Sequence, residues 1–211
     1  MRFSLAALLF VLLSNLAHAE TTALHNAAAQ NDTTTLQRLL KQGAEVDKRD
    51  DQGRTALMIA THANQVAAAK ALIEAGADVN AKDNIDDSPY LYAGARGLND
   101  ILRLTLAHGA DLKSTNRYGG TALIPAAERG HVETVQLLID AGVDLNHLNR
   151  LHWTALLEAV ILGDGGPRHV EIVRRLLAAG ADRQIADKDG VTALEHARQR
   201  GYREMEALLA Q

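Results

Sequence analysis

The chain has 211 residues, of which 47% are hydrophobic and 3% aromatic, and it carries a formal net charge of −4 at pH 7. Acidic and basic residues alternate along the chain, so there is no cationic stripe to neutralise a phosphate backbone, and no nucleic-acid ligand is expected. The absence of cysteine excludes a disulfide framework and a thiolate zinc site.

The first predicted element is a signal peptide over residues 1–19. A cationic Arg2 precedes an unbroken apolar run of nine residues, 5–13, and an Ala-His-Ala sequence ends at Ala19. This order is typical of a cleaved export signal, and nine apolar residues are too few for a bilayer span of about 20. We therefore expect cleavage after Ala19, no membrane span in the mature chain and a periplasmic location; a retained anchor or a frayed helix is the alternative.

The rest of the chain repeats one short unit at a regular spacing. A Thr-Ala-Leu segment, replaced once by Ser-Pro-Tyr, begins at positions 22, 55, 88, 121 and 154, and again, after a longer interval, at 192. A Gly-Ala-Asp segment, or a close variant, keeps the same spacing from positions 43, 76, 109, 142 and 180. A unit of this size cannot bury its own apolar side chains, so its copies must stack on each other.

Each unit is predicted to form an antiparallel pair of short helices. Asn and Gly tolerate a left-handed backbone at low cost, so they end helices readily. The first helix is expected to end nine residues after each Thr or Ser, at Asn31, Asn64, Gly97, Gly130, Gly163 and Gly201. The second is expected to end at Gly43, Gly76, Gly109 and Gly142.

These markers resemble the ankyrin repeat, which has about 33 residues and a Thr-Pro-Leu-His-x-Ala start. Only Ser88-Pro89 keeps the family's proline, and only His25 keeps its histidine. The resemblance implies an all-α ankyrin-repeat solenoid, a single domain over residues 20–211, with short β-hairpin fingers between stacked helix-turn-helix repeats. The six repeats are predicted at about 20–50, 51–83, 84–116, 117–149, 150–187 and 188–211.

The resemblance also places a finger tip between consecutive repeats. Each tip begins with Asp or Asn, at positions 50, 83, 116, 149 and 187, and these residue types brace a turn by bonding to their own backbone. Three tips have glycine at the fourth position, whereas Asp86 and His152 replace it in the other two. We expect those two tips to bend differently.

Family resemblance implies that a partner protein binds along a concave face made of finger tips and first helices. Arginines with aromatic and aliphatic neighbours concentrate binding energy at interfaces, and large exposed apolar patches are rare on soluble monomers. The alternative is that Trp153 and Leu151 fold back onto the neighbouring finger. The predicted binding residues are Arg117, Tyr118, Arg129, Leu148, Arg150, Leu151, Trp153, Ile161 and Leu162.

The fifth repeat contains five additional residues, 164–168. Insertions of this kind occur in loops, so we expect a loop between the two helices of this repeat. A second contact site and tolerated drift are the two interpretations of such a loop.

The sequence contains no catalytic or phosphate-binding motif, so we predict neither an enzyme nor a cofactor. His147 and His152 flank one finger tip, but two imidazoles without a third ligand are weak support for a metal or haem site. We predict a monomeric, non-catalytic adaptor for an unidentified protein. The alternatives are a haem or small-ligand carrier that supports catalase in oxidative-stress defence, and an immunity-type inhibitor of an envelope effector.

Overall fold

The structure is a computed structural model that describes residues 22–211. The predicted signal peptide, residues 1–19, lies outside the described residues. Two compact units form, one ending at Asn84 and the other comprising Ile85–Gln211. Between residues 22 and 211, no helix has both the length and the apolar character needed to cross a membrane.

The first unit is helical. Its described part contains α1 at 22–29, α2 at Thr33–Lys41, α3 at Ala56–His62 and α4 at Val66–Glu74. Helix α4 packs against both α2 and α3. The core of this unit is made of small and aliphatic side chains, among which Leu24, Leu36, Leu57 and Leu72 are fully buried.

The second unit contains four consecutive helix pairs. They are α5 (Pro89–Arg96) with α6 (Asn99–Ala107), α7 (Leu123–Glu128) with α8 (Val132–Asp140), α9 (Ala155–Ile161) with α10 (Pro167–Ala178), and α11 (Ala193–Arg200) with α12 (Arg203–Leu209). The first helices α5, α7, α9 and α11 pack side by side, and the second helices form another layer. Helix α9 contacts α7, α10 and α11, so all seven of its residues are buried. Burying each large aliphatic side chain contributes about 1.5–3 kcal/mol.

Asparagine and glycine end the helices as predicted, with one exception. After the first helices, φ is positive at Asn31, Asn64, Gly97, Gly130 and Gly201; after the second, it is positive at Gly43, Gly76, Gly109, Gly142 and Gly180. In the fifth repeat the first helix also ends where predicted, with Leu162 as its C-cap just before Gly163, but the left-handed turn lies at Gly165, where φ is 70°. Gly163 instead lies so close to His169 that a Cβ would collide with the imidazole.

The five additional residues form a loop only in part. Pro167 begins α10 and so lengthens that helix at its N-terminus. Asp164 Oδ1 accepts a hydrogen bond from His169 Nδ1 at 2.8 Å, and the Tyr202 hydroxyl donates to the Gly163 carbonyl at 3.1 Å. The insertion is therefore held by the last two repeats.

The fingers are tight turns, and the predicted β-hairpin strands are absent. Within residues 22–211 the strand-like pairing is limited to an isolated bridge between Ala186 and Thr192. In one finger, Gly119 N–H donates to the Asn116 carbonyl at 2.8 Å, and Asn116 N–H donates to the Gly120 carbonyl at 3.0 Å. These bonds close a three-residue loop. The chain then enters a helix at once, so no further ladder bonds form.

Asp86 and His152 adopt the left-handed conformation that glycine has in the other fingers. Their φ angles are 63° and 68°, against 74° at Gly119 and 77° at Gly190. In the His152 finger, His152 N–H donates to the Asn149 carbonyl at 2.9 Å, as in the glycine-containing fingers. The prediction that these two tips bend differently is therefore wrong. The left-handed backbone costs a non-glycine residue about 1–2 kcal/mol.

The fourth repeat begins its first helix without a side-chain cap. Thr154 Oγ1 accepts the N–H of the residue three positions later at 3.2 Å, whereas Thr121 Oγ1 is buried without a partner among the described residues. Pro125 has no N–H, and the Thr121 carbonyl accepts from Ile124 N–H at 3.3 Å instead. Helix α7 is consequently short, with six residues.

Candidate functional site

A cavity of about 440 Å³ lies in the second unit, beside the fingers at 116–120 and 149–153 and the helices α5, α7 and α9. This cavity and its lining residues are termed the groove. The lining combines three arginines, three acids, two tyrosines and several apolar side chains. Its members are Asp87, Tyr92, Ala95, Arg96, Asn116, Arg117, Tyr118, Gly120, Ile124, Pro125, Glu128, Arg129, Asn149, Leu151, Glu158 and Leu162.

The groove brings together five of the nine predicted binding residues. Tyr118, Leu151 and Leu162 are 62%, 53% and 51% exposed, which are large fractions for side chains of this size and polarity. Leu151 therefore does not fold back onto the neighbouring finger. The five are Arg117, Tyr118, Arg129, Leu151 and Leu162, while Leu148, Arg150 and Trp153 lie outside the lining.

Ile161 does not belong to the exposed surface, because it is only 8% exposed. Consecutive residues of an α-helix point about 100° apart, and α9 has helices packed on both sides. Leu162 consequently faces solvent while Ile161 packs inward. The expectation that Ile161 is available to a partner is wrong.

Arg117 is held at the rim of the groove by two side chains. Its Nη1 lies 3.3 Å from Asp87 Oδ2, and its guanidinium carbon lies 4.9 Å from the centre of the Tyr118 ring. The contact with Tyr118 and the charge of Asp87 raise the pKa of Arg117. Stacking of this kind pre-orders both the arginine and the tyrosine.

The other two arginines of the groove also have intramolecular partners. Arg96 lies over the Tyr92 ring at 5.9 Å, and Arg129 Nη1 donates to the Ala95 carbonyl at 2.6 Å. The rim is thus cationic, but each cation is already in contact with a protein group.

Asparagine side chains fix the two fingers that border the groove. Asn116 Oδ1 accepts from the N–H groups of Tyr118 and Gly120 at 2.9 and 3.1 Å. Asn149 Oδ1 does the same for Leu151 and Trp153 at 2.9 and 3.0 Å. These bonds hold the backbone that carries Tyr118 and Leu151.

The two fingers are also joined to each other. Arg150 N–H donates to the Tyr118 carbonyl at 3.0 Å, and His147 Nε2 donates to the Gly119 carbonyl at 2.7 Å. His147 thus uses one ring nitrogen as a brace. In the part of the chain that the structure describes, no group of three or more potential metal ligands is found.

Glu158 lies at the floor of the groove and is 5% exposed. Its Oε1 accepts a hydrogen bond of 2.7 Å from Asn149 Nδ2. Burial, assisted by the negative charge of Glu128, raises the pKa of Glu158 to about 7, against the opposing effect of the Asn149 bond. The groove thus contains a carboxyl group that titrates near neutral pH.

Glu158 is not among the binding residues predicted from the sequence. It occupies the fourth position after the Thr or Ser of its repeat, where the other repeats of this unit have Tyr92, Pro125 and His196. The sequence does contain a signal for Glu158: Asn149, at the start of the finger, stands nine positions before it, so two polar side chains occupy this spacing. The same spacing pairs Asp187 with His196 in the last repeat, at 2.7 Å.

Comparison with known proteins agrees with this architecture. An ankyrin repeat domain from Acinetobacter baumannii AYE has a crystal structure similar to this chain, with a TM-score of 0.87 and 66% identity, covering 89% of this chain and 95% of that one. The ankyrin repeat protein EF0377 has a TM-score of 0.87 and 47% identity, covering 90% and 98%.

The ankyrin repeat protein YahD of Escherichia coli (strain K12) is 48% identical over 52 residues, which span 25% of this chain and only 26% of YahD. A family model described as ankyrin repeats (3 copies) matches residues 4–83 and 90–183, well over half of the sequence. The chain belongs to the ankyrin-repeat family.

Proposed function

We propose that this chain is a non-catalytic adaptor that is exported to the periplasm and holds a partner protein in the groove. Ankyrin repeats indicate a scaffold for protein–protein interaction. The observation that carries the proposal is the exposure of Tyr118, Leu151 and Leu162 around one cavity.

These three side chains are suited to a partner because they are largely apolar and because two of them, Tyr118 and Leu151, lie on a fixed backbone. Covering the exposed half of each would contribute about 1 kcal/mol. The backbone of Tyr118 and Leu151 is fixed by Asn116 and Asn149, so little conformational entropy remains to be lost on binding. Ordered aromatic and arginine side chains of this kind form hot spots.

Variants at the exposed leucines test the role of the groove. We expect Leu151→Asp combined with Leu162→Asp to abolish photo-crosslinking to the partner in periplasmic extract, without lowering the melting temperature, because both side chains are exposed. Ile85→Asp is the matched control, since Ile85 is 51% exposed and does not line the groove. Undiminished crosslinking by the double variant would contradict binding in the groove.

Export rests on the sequence of residues 1–19 and has its own test. Fusing these residues to alkaline phosphatase that lacks a signal should give periplasmic phosphatase activity, and mass spectrometry of the exported chain should find Glu20 as its first residue. Replacing Leu9 by Arg interrupts the apolar run and should abolish the activity. A full-length chain recovered from the cytoplasm would contradict the proposal.

The same experiments separate the alternatives. A captured toxic effector would identify an immunity-type inhibitor, and a captured catalase would indicate a role in oxidative defence. A haem carrier would show a Soret band on mixing with haemin, lost in the His147→Ala and His152→Ala double variant. Coordination of haem iron through Nε2 of His147 would have to break its bond to the Gly119 carbonyl, whereas coordination through Nδ1 would keep it.

A further inference from the structure

Two carboxyl groups of the groove have no cationic partner among the described residues. Glu158 is bonded to the neutral amide of Asn149. Glu128 stands at the end of α7, and in the described residues its carboxylate has neither an ion pair nor a hydrogen-bond donor. Of the two, Glu158 is almost completely buried, where an uncompensated negative charge is costly.

The charged side chains on the helices packed against α9 do not compensate Glu158. The charge that acts on it is that of Glu128, and it is repulsive. Arg168 and Arg200 are exposed. Three arginines and two histidines on α10 and α11 already pair with acids of their own, namely Arg174 and Arg175 with Glu171, Arg198 with Glu206, His169 with Asp164, and His196 with Asp187.

The arginines at the rim are likewise engaged elsewhere. Arg117 pairs with Asp87, and Arg129 donates to the Ala95 carbonyl. Arg96 lies over Tyr92. The groove therefore has a position for a positive charge at its floor, beneath exposed aliphatic side chains.

We propose that the groove takes a lysine or arginine side chain projecting from the partner protein, with its cationic end between Glu158 and Glu128 and its aliphatic stem against Leu151 and Leu162. This inference rests on the proposed function and names the chemistry that the groove recognises. A cavity of about 440 Å³ accommodates such a side chain, which buries its stem while its charged end reaches polar groups. Pairing with a desolvated carboxylate gives both strength and specificity.

Binding of a cation is coupled to the ionisation of Glu158. In the free protein the pKa of Glu158 is about 7, so at pH 5.5 the carboxyl is mostly protonated and neutral. A lysine side chain stays charged throughout this range, with a pKa of about 10.4. The affinity for the cation therefore rises with pH, by up to about thirtyfold between pH 5.5 and pH 8.5, because the ionised form of Glu158 attracts it and the neutral form does not.

A peptide titration tests the pocket directly. The probes are the blocked peptide acetyl-Ala-Leu-Lys-Leu-Ala-amide, its arginine counterpart, and a norleucine counterpart that keeps the stem without the charge. The readout is the NMR signal of the Asn149 side-chain amide, which donates to Glu158. We expect the cationic peptides to bind at least about fivefold more tightly than the norleucine peptide at pH 8.5, and to lose most of that advantage at pH 5.5.

Charge-removing variants assign the effect to one residue. Glu158→Gln keeps an oxygen that can accept from Asn149, so the fold is retained. It should weaken the preference for a cation, since only Glu128 remains, and abolish the dependence of that preference on pH between 5.5 and 8.5. Glu204→Gln makes the same change of charge at an exposed site outside the groove, and it should preserve both. Equal binding of the norleucine and lysine peptides to the unaltered protein, or an unchanged preference in Glu158→Gln, would overturn the proposal.

The two proposals fail in different ways. If Leu151→Asp with Leu162→Asp abolishes partner crosslinking while Glu158→Gln leaves it and the peptide titration unchanged, the adaptor function stands and the cation pocket is rejected. If the leucine double variant leaves crosslinking intact, binding of the partner in the groove is rejected, whatever the peptides show.

Discussion

The fifth and sixth repeats make the same side-chain contact with different pairs of residue types. In each, the first residue of the finger bonds to a side chain nine positions later on the first helix, at 2.7 Å in both cases. In the sixth repeat the pair is Asp187 with His196, an acid with a group that can be a cation. In the fifth it is Asn149 with Glu158, a neutral amide with an acid.

The contact in the sixth repeat is structural, whereas the contact in the fifth repeat forms part of the candidate binding site. Backbone bonds from Val191 and the contact with His196 lower the pKa of Asp187 against a smaller effect of desolvation, so its charged form is stabilised within the fold. Asn149 cannot neutralise Glu158 in the same way, and burial raises the pKa of that acid to about 7. The fifth repeat thus keeps the geometry of the contact, but the negative charge of Glu158 is not neutralised by Asn149.

Transplanting the acid of the sixth repeat into the fifth should have the largest effect. Asn149→Asp retains the finger but places two carboxylates in contact in a buried position, which should lower the free energy of unfolding by about 3 kcal/mol at pH 8. Adding Glu158→His recreates the pair of the sixth repeat and should recover most of that loss. Urea unfolding measures both; a double variant no more stable than the single one would show that the two contacts are not equivalent.

The buried acid also predicts a pH dependence of stability. Glu158 titrates near 4.5 when unfolded and near 7 when folded, so between these values the folded state binds more protons and stability falls as pH rises. We expect this group to lower the free energy of unfolding by about 3 kcal/mol between pH 4.5 and pH 8.

Urea unfolding of Glu158→Gln at both pH values checks that number. The variant should lose the decrease and be more stable than the unaltered protein at pH 8. If both proteins show the same decrease, other groups are responsible for it.

The finger tips provide a smaller contrast between the same two repeats. Gly190→Ala should lower the free energy of unfolding by about 1 kcal/mol, because the φ of 77° is strained for alanine. Space is not the cause, since a Cβ there meets no atom within 4 Å. His152→Gly should be neutral or gain about 0.5 kcal/mol, as relief of strain offsets the entropy of glycine. Denaturation midpoints measure both, and a stabilising Gly190→Ala would refute the strain argument.

Removing the charge of Asp187 should have the smallest effect. Asp187→Asn keeps the side-chain oxygen that accepts from Val191 N–H but loses the charge and the oxygen that face His196 Nε2, at a cost of about 0.5 kcal/mol at pH 7. The folded pKa of Asp187 is lowered, so this contribution is lost as pH falls through that value. The difference in stability between the variant and the unaltered protein should therefore shrink as pH falls, and a difference that stays constant would contradict this interpretation.

Local rules sufficed to predict the helix pairs and most of their ends. Positive φ at Gly97 and Gly130 follows from residue type and spacing alone. Gly163 has the same spacing, but the insertion after it moves the left-handed turn to Gly165. The regular spacing of the repeats does not show where the backbone turns in a repeat of different length. The absence of strands had a similar origin, because the turn pattern does not show how soon the helix begins.

The site was predictable only in part, since exposure depends on neighbours distant in sequence. Tyr118, Leu151 and Leu162 lie at the groove as expected, but Ile161 is buried by helices packed on both sides. Glu158 occupies the repeat position of Tyr92 and Pro125, which are not acids, so the repeat pattern did not indicate a buried acid there. Its repulsion by Glu128 comes from the end of α7, in the preceding repeat, and that helix also packs against α9.

The irregular length of the fifth repeat has a consequence for protein engineering. Asp164, one of the five additional residues, holds His169, whose Nε2 donates to the Glu128 carbonyl at 2.8 Å. A consensus design that trimmed this repeat to the length of the others would delete the acid that orients the imidazole, and with it the support behind one wall of the groove. Regularising the length of this repeat should therefore displace Glu128 and the wall of the groove that it lines.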